Sequence, residues 1–426
     1  MACYRSGQPR GSFTARLPPG DVVSMPVTTA ARRMRILIVV PTYYPAVRYG
    51  GPIRCVHGLA VALARRGHDV QVYTTTMDGD KNLDVPLDRP VDLDGVAVHY
   101  FPVPWLRRLF WSPAMGKRLR ATVSEFDIVH LHAVFVWPPR AGARAAARAG
   151  VPYVMTPHGM LIRDLIRAKS RWVKSAWISL VERRSLARAS ALHVTAKLEH
   201  AEIRALRLPE PEIVAEVPNG VDWPAQHLPL AATPFAALPQ PFALFLSRLN
   251  WKKGLDRLIT AWQWVPRLPL VIAGNDEDGY RAQLERLAES LGIASRVVFI
   301  GPVADDHKWA LYEHAELFLL PSYSENFGIV VAEAMLMACP VLVTPEVGIS
   351  ELLKATDSGV VTSNDPVNLA AVINELLADE TRRRELGRRG REAARRHLAW
   401  SGVVEQMENL YWNVLDQRGA PAGASA

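Results

Sequence analysis

Glu325 and Glu333 stand either side of Asn326-Phe327-Gly328 in the run PSYSENFGIVVAEAMLMACP. Two carboxylates in such a setting can accept hydrogen bonds from sugar hydroxyls. The unpaired N–H groups of a helix opening near Phe327 and Gly328 would add donors and a positive dipole end for an anion. One glutamate near a helix start is most often a dipole partner; two with seven residues between them, around Asn-Phe-Gly, are more specific. Arg248 and Lys253 lie in a second polar loop before Gly254, where cations are commonplace and each alone says little. His158, in Thr156-Pro157-His158-Gly159, directly follows an apolar run. Gly50-Gly51 before Pro52 lets a ligand approach the backbone, although a plain turn would use the same pair. Gly274 and Val303 each follow an apolar run and leave room for a nucleobase.

Placing these residues requires strands that end where they begin. Glu316–Leu320 reads as a buried parallel strand bounded by Pro321, Gly328–Ala338 as a helix stopped by Pro340, and Val341–Thr344 as the next strand. The first half alternates likewise: strands at Ile36–Val40, Val70–Thr75, Val96–Phe101, Ile128–Leu131 and Tyr153–Thr156, with a helix over Ile53–Arg66. The second half adds Phe242–Leu246, a helix from Leu255, Leu270–Ala273 and Val297–Ile300. This pattern predicts an α/β protein with two Rossmann-like, doubly wound sheets and ligands at the strands' carboxyl ends. The G-x-G-x-x-G fingerprint is missing after the first strand.

The expected organisation is a disordered tail over 1–33, a first domain over 34–222, and a Pro/Ala-rich linker over 223–241. A second domain covers 242–398, a final amphipathic helix 399–417, and a fraying tail 418–426. The first tail lacks the apolar core of a signal peptide, and Met34 is a candidate start.

The net charge of +8 is unevenly spread: +4 in residues 1–34, +9 in 35–225 and −5 in 226–426. An anionic partner of the first half follows. Trp105–Arg120 and Arg163–Arg188 interleave aromatic and aliphatic side chains with Arg and Lys, which suits an anionic membrane surface. A core-facing helix with a solvated basic side is the plainer reading of either stretch alone. No nucleic-acid motif accompanies the charge, and no run of about 18 apolar residues exists to span a bilayer. Cys3, Cys55 and Cys339 have no metal spacing, which points to a reducing, cytoplasmic setting, and the two basic stretches suggest the inner face of the membrane within it. His130 and His132 lack a third ligand and read as structural. Arg382–Arg396 reads as a solvated basic helix.

The Glu325–Glu333 segment resembles the E-x7-E signature of the retaining glycosyltransferases of family 4, the group 1 transferases with the GT-B fold. His158-Gly159, Asn219-Gly220-Val221-Asp222 and Arg248-x4-Lys253-Gly254 resemble further motifs of that family, in order, from Met34 to about Gln417. Two departures stand out. Ala338 replaces the usual Gly, an added methyl that would tighten packing at a helix end, and Ile349-Ser350 interrupts the usual Gly-Gly-x-Pro-Glu. The resemblance implies two domains facing a central cleft, the first for the acceptor and the second for a nucleotide sugar. It implies that Glu325 faces the donor sugar, Glu333 the ribose, Arg248 and Lys253 the diphosphate, and His158 both donor sugar and acceptor. The last helix would return to the first domain. The implied reaction moves a sugar, with retention, from a nucleoside-diphosphate sugar to a glycan or polyprenyl-linked saccharide. Its setting would be bacterial exopolysaccharide or cell-surface glycan synthesis, with neither cofactor nor metal. Three readings compete. A metal-dependent transferase would use Asp276-Glu277-Asp278; an epimerase of the same fold would act on a sugar nucleotide alone. A non-catalytic glycan- or lipid-binding protein at a membrane surface would leave Arg248, Lys253, Glu325 and Glu333 coincidental.

Overall fold

A computed structural model of the chain describes residues 33–46, 50–162, 171–221, 223–224, 228–266, 268–276, 279–304 and 306–419. Residues 163–170 of the second basic stretch therefore lie outside the described residues, as do both tails bar their inner edges.

The first sheet has eight strands in the order β10-β9-β8-β7-β1-β2-β6-β5. These are β1 Arg35–Val39, β2 Asp69–Thr75, β5 Val91–Leu93, β6 Val96–Phe101, β7 Ile128–His132, β8 Tyr153–Thr156, β9 Ala191–Val194 and β10 Ile213–Glu216. All neighbours are parallel except β5, which runs antiparallel to β6. A separate hairpin pairs β3 Met77–Asp78 with β4 Lys81–Asn82. The second sheet is wholly parallel, in the order β13-β12-β11-β14-β15-β16. Its strands are β11 Phe242–Leu246, β12 Leu270–Ala273, β13 Val297–Gly301, β14 Ala315–Leu320, β15 Val341–Val343 and β16 Val360–Val361.

Continuous apolar runs such as ILIV in β1 and LFLL in β14 are buried along their length because helices cover both faces. Strand order reverses at β1 in the first sheet and at β11 in the second. At such switch points the loops after adjacent strands diverge to opposite faces and leave a crevice. The loops carrying Gly50 and Gly51 (after β1), Arg248 and Lys253 (after β11) and Glu325 (after β14) all leave at these points.

The chain returns to its first half at the end. Val221 N–H donates to Leu398 O (2.7 Å), so the outgoing and incoming segments run side by side. The final helix, Trp400–Gly419, buries Val403, Met407, Leu410 and Tyr411 in the first sheet's core. Trp400 lies against both Gly58 and Gly220; a Cβ at either would meet its indole at 2.3 Å. The glycine of the Asn219-Gly220 turn is thus required by a tryptophan 180 residues downstream. The Pro/Ala-rich segment before β11 is docked: Leu230 is buried in the second core, with Phe235 and Leu238 packed against it.

The helix after Glu325 is shorter than its pattern predicts, Ile329–Leu336, and its end explains one departure from the family motif. Ala338 sits at φ +56°, the left-handed conformation that usually calls for glycine, and Cys339 N–H closes back on Ala334 O (3.0 Å). The added methyl therefore costs backbone strain rather than tightening packing. Ala338→Gly should stabilise the protein by up to about 1 kcal/mol, the left-handed penalty less the extra freedom of an unfolded glycine. A urea midpoint that stays put or falls would contradict this.

Candidate active site

Arg248, Lys253, Glu325, Asn326, Phe327, Gly328, His158 and Gly51 line one cavity of about 270 Å³, together with Asn250 and Lys252. Each arrives there for a local reason. Gly254, at φ +67°, turns the chain sharply after Lys253, and a Cβ on it would meet Pro321 O at 2.0 Å. The loop after β11 thus packs directly on the loop after β14, and Tyr323 N–H donates to Lys252 O (2.7 Å) across that contact. The Asn250 side chain caps Lys252 N–H (3.1 Å). Pro52 opens the helix Gly51–Arg65, whose N-terminus faces the cavity. Arg248 is exposed and its guanidinium stem passes close to Gly50, where a Cβ would lie 3.7 Å from Nε.

Glu325 and Lys253 are bonded to each other, carboxylate to ammonium, and both are largely buried. Glu325 is held rigidly on its main chain as well: its N–H donates to Glu346 O and its O accepts from Gly348 N–H, both at 3.0 Å. Charge and geometry therefore come as a pair, one anion and one cation at the same wall of the cavity.

Glu333 is placed differently from Glu325. It is buried and does not line the cavity; Lys308 Nζ donates to Oε1 (2.6 Å), Tyr312 OH to Oε2 (3.0 Å), and Arg54 approaches at 3.9 Å. Lys308 and Tyr312 share a face of the helix Lys308–His314 by their four-residue spacing. Gly274 and Val303 also lie off this cavity. Gly274 follows β12 at φ +142°, and a Cβ there would strike Ser247 O at 1.7 Å, so the neighbouring strand demands glycine. Val303 packs against the second core. Asp276 accepts a hydrogen bond from Arg281 N–H (3.1 Å), while Glu277 and Asp278 are outside the described residues. No group of three His, Cys, Asp or Glu able to hold a metal occurs among the described residues.

His158 belongs to a cluster that sequence reading did not assemble. Its φ is +53°, and its Nε2 shares a proton with His132 Nδ1 (2.9 Å), the two rings stacked at 5.1 Å. Beneath them, Tyr411 OH meets His130 Nδ1 (2.7 Å), His130 Nε2 meets Thr156 Oγ1 (2.7 Å), and Thr156 Oγ1 meets His193 Nδ1 (2.8 Å). Burial pushes every one of these histidines down: His158 to about 3 and His130 and His132 well below their ordinary value, with neighbouring imidazoles adding to all three, and His193 to about 4, against the opposing hydrogen bond to Val217 O. His158 is therefore neutral at pH 7, a poor base but a good directed hydrogen-bonding group.

The His158 loop is anchored by Glu199, another residue without a sequence signal beyond its place near a helix start. Its carboxylate accepts from Gly159 N–H (2.6 Å), Thr195 N–H (2.8 Å) and Thr195 Oγ1 (3.0 Å). Burial raises its pKa, and those donors hold it back. Asn326 Nδ2 donates to the same Thr195 Oγ1 (2.9 Å), so the glutamate loop of the second half touches the histidine loop of the first. A Cβ at Gly159 would sit 2.6 Å from that of Asn326.

A second cavity, of about 750 Å³, opens on the other side of His158, Arg248 and Lys252. Its remaining walls come mostly from the first half, including Phe110, Phe135, Met160 and Lys174.

Residues 234–393 match the family model for glycosyl transferases group 1, and residues 50–220 match that for the glycosyl transferase 4-like domain. The chain belongs to the group 1 glycosyltransferases. Over 413 residues this transferase is 26% identical to the uncharacterized glycosyltransferase MJ1607 of Methanocaldococcus jannaschii, covering 91% of this chain and 100% of that one. It is 29% identical over 388 residues to D-inositol 3-phosphate glycosyltransferase of Xylanimonas cellulosilytica, covering 85% and 91%. The crystal structure of Anabaena HepE in complex with UDP-glucose superposes with a TM-score of 0.70 at 21% identity, covering 89% of this chain and 100% of HepE. At that identity the likeness speaks for the fold, which is GT-B: two parallel-sheet domains of Rossmann type.

Proposed function

We propose that this transferase moves a sugar, with retention of anomeric configuration, from a nucleoside-diphosphate sugar to a glycan or polyprenyl-linked saccharide. Exopolysaccharide or cell-surface glycan synthesis at the cytoplasmic face of a bacterial membrane is the setting that fits such an acceptor. The observation carrying this reading is the convergence of Arg248, Lys253, Glu325 and His158 on one cavity. HepE, of the same fold, holds UDP-glucose, which supports a nucleotide sugar as donor.

In this reading Arg248, Lys253 and the N-termini of the helices Gly51–Arg65 and Ile329–Leu336 compensate the charge growing on the departing diphosphate. Glu325 orients donor-sugar hydroxyls, and Glu333, held by Lys308 and Tyr312, serves the ribose side. Neutral His158 hydrogen-bonds the sugar rather than taking a proton, so the departing phosphate accepts the proton of the incoming hydroxyl. Attack then comes from the face the phosphate leaves, which retains configuration. The larger cavity sharing the His158–Arg248 wall favours an acceptor over the epimerase reading, which needs none.

Because the diphosphate's counter-charge comes from side chains and helix ends, transfer should survive EDTA. The test begins with thermal stabilisation of the protein by a panel of nucleotide sugars. NMR of the product made with the stabilising donor follows, with and without EDTA. An α-linked donor should give an α-linked product in both. A β anomer overturns retention, abolition by EDTA overturns metal independence, and a free epimerised sugar nucleotide formed without acceptor overturns transfer.

A further inference from the structure

Away from the cleft, a groove of about 400 Å³ runs between the helix Trp137–Ala149 and the helical run Ile178–Ala187. Five exposed arginines line it: Arg140, Arg144 and Arg148 from the first helix, Arg184 and Arg188 at the end of the second. Their spacing is four residues in each set, which stacks them on one face, an arrangement of like charges that destabilises a helix unless something neutralises it. Among the described residues none of the five is in an ion pair; Arg140 lies over the Trp177 ring at 5.5 Å.

The same protein shows what a solvated arginine face looks like. On the helix Glu380–His397, Arg384, Arg388 and Arg389 are each paired with a glutamate of the same helix: Glu380, Glu385 or Glu392. Among the described residues no acid lines the groove: Glu182, which feels the charge of Arg140, is buried and accepts from Phe135 N–H (3.0 Å) and Trp177 Nε1 (2.7 Å), so the exposed arginines are open to a counter-charge from outside.

Two features identify the source. Leu180, in the groove's wall, is 64% exposed, the highest exposure of any large apolar side chain among the described residues. An apolar side chain beside cations suits the boundary between lipid headgroups and acyl chains, whereas a nucleic acid would leave it in water. The second half of the chain carries −5, which opposes a long polyanion wrapping the molecule. The run through Leu180 also continues, without a break in helical structure, back to Lys174 at the wall of the larger, acceptor-side cavity. At 1.5 Å per residue the groove lies roughly 15 Å from that wall. The other basic stretch is less suited: Arg107 is bonded to Asn82 and Lys81 O, and Arg118 to Tyr73 OH.

We propose that the groove formed by Arg140, Arg144, Arg148, Arg184 and Arg188 with Leu180 docks on the anionic headgroups of a lipid bilayer. Docking there places the acceptor-side cavity at the membrane, and so deepens the lipid-linked acceptor reading on which it rests.

The experiment is flotation of the full chain with vesicles of phosphatidylcholine alone or mixed with phosphatidylglycerol. The protein should float only with the mixed vesicles, and roughly 1 M salt should release it by screening. The double variant Arg144→Glu/Arg184→Glu should bind mixed vesicles about tenfold or more weakly. Leu180→Ser should weaken binding even at low salt. Both variants should keep the parent's melting temperature and its stabilisation by UDP-glucose or whichever nucleotide sugar the panel selects. If no nucleotide sugar stabilises the parent, the transfer reading fails while flotation still decides the groove. Equal recovery with neutral and mixed vesicles, unchanged binding by the charge-reversed variant, or tighter binding to single-stranded DNA than to mixed vesicles would each overturn the proposal.

Discussion

Glu325→Gln and Lys253→Ala should each cut transfer by roughly 10²-fold or more, about 3 kcal/mol of transition-state stabilisation. The two side chains are bonded to each other at the cavity wall, 72 residues apart in sequence. Lys253→Ala removes a diphosphate counter-charge and leaves Glu325 with a largely buried, unpaired carboxylate. Glu325→Gln keeps the shape but replaces an anionic acceptor by a neutral amide, weakening its grip on both the lysine and a sugar hydroxyl. Initial rates with the donor found by thermal stabilisation measure the effect, and melting curves check that the fold survives. Folded variants that turn over at the parent's rate would end the assignment of this cavity as the reaction site.

Lowering the pH from 7 to 5 should remove on the order of 5 kcal/mol of stability or more. His130, His132, His158 and His193 are all held below their ordinary value in the folded chain, burial being the main cause. The sign follows from linkage. Below about pH 6.5 the unfolded chain takes up protons that the folded cluster refuses, so stability is full above that pH and lost beneath it. Each histidine contributes roughly 2 kcal/mol by pH 5, a large share of the stability of an ordinary protein. Glu182 and Glu199 act in the opposite sense, since burial raises both, but they are two against four and titrate from a lower reference. Thermal melts across pH 5–8 measure the slope. A melting temperature that does not fall between pH 7 and pH 5 would mean the cluster is open to water and protonates freely.

Much of the architecture was legible because its signals are local. Apolar runs with turn residues at their ends marked β1, β6, β8, β11 and β12 to within a residue, and Pro52 and Gly254 marked helix starts. β9 and β10 escaped notice: the apolar run of β9, Ala191–Val194, is broken by His193, and β10, Ile213–Glu216, is nowhere fully buried, so it lacks the apolar contrast of an inner strand. The Pro/Ala-rich stretch over 223–241 read as a linker from composition, yet Leu230, Phe235 and Leu238 dock on the second core. Composition reports what a segment cannot build alone, not what it leans on.

What the sequence by itself determined is which residues stand at strand ends and therefore can face a ligand: Gly50 and Gly51, His158, Arg248 and Lys253, Glu325 to Gly328. Periodicity and turn chemistry act over a few residues, and they suffice for that. Only the tertiary structure decided which of these meet. It paired Glu325 with Lys253, and it withdrew Glu333 from the cavity onto Lys308 and Tyr312. It joined His158 to His132 above a buried chain of hydrogen bonds ending at Tyr411 of the last helix. It also separated two arginine-rich surfaces that look alike as sequence: one pairs Arg384, Arg388 and Arg389 with glutamates of its own helix, and the other has no ion pair among the described residues. Those outcomes depend on strand order and on the return of the final helix, which bring together side chains tens to hundreds of residues apart. A buried group's charge and pKa are set by such neighbours and by lost water, so neither could be read before the chain was folded.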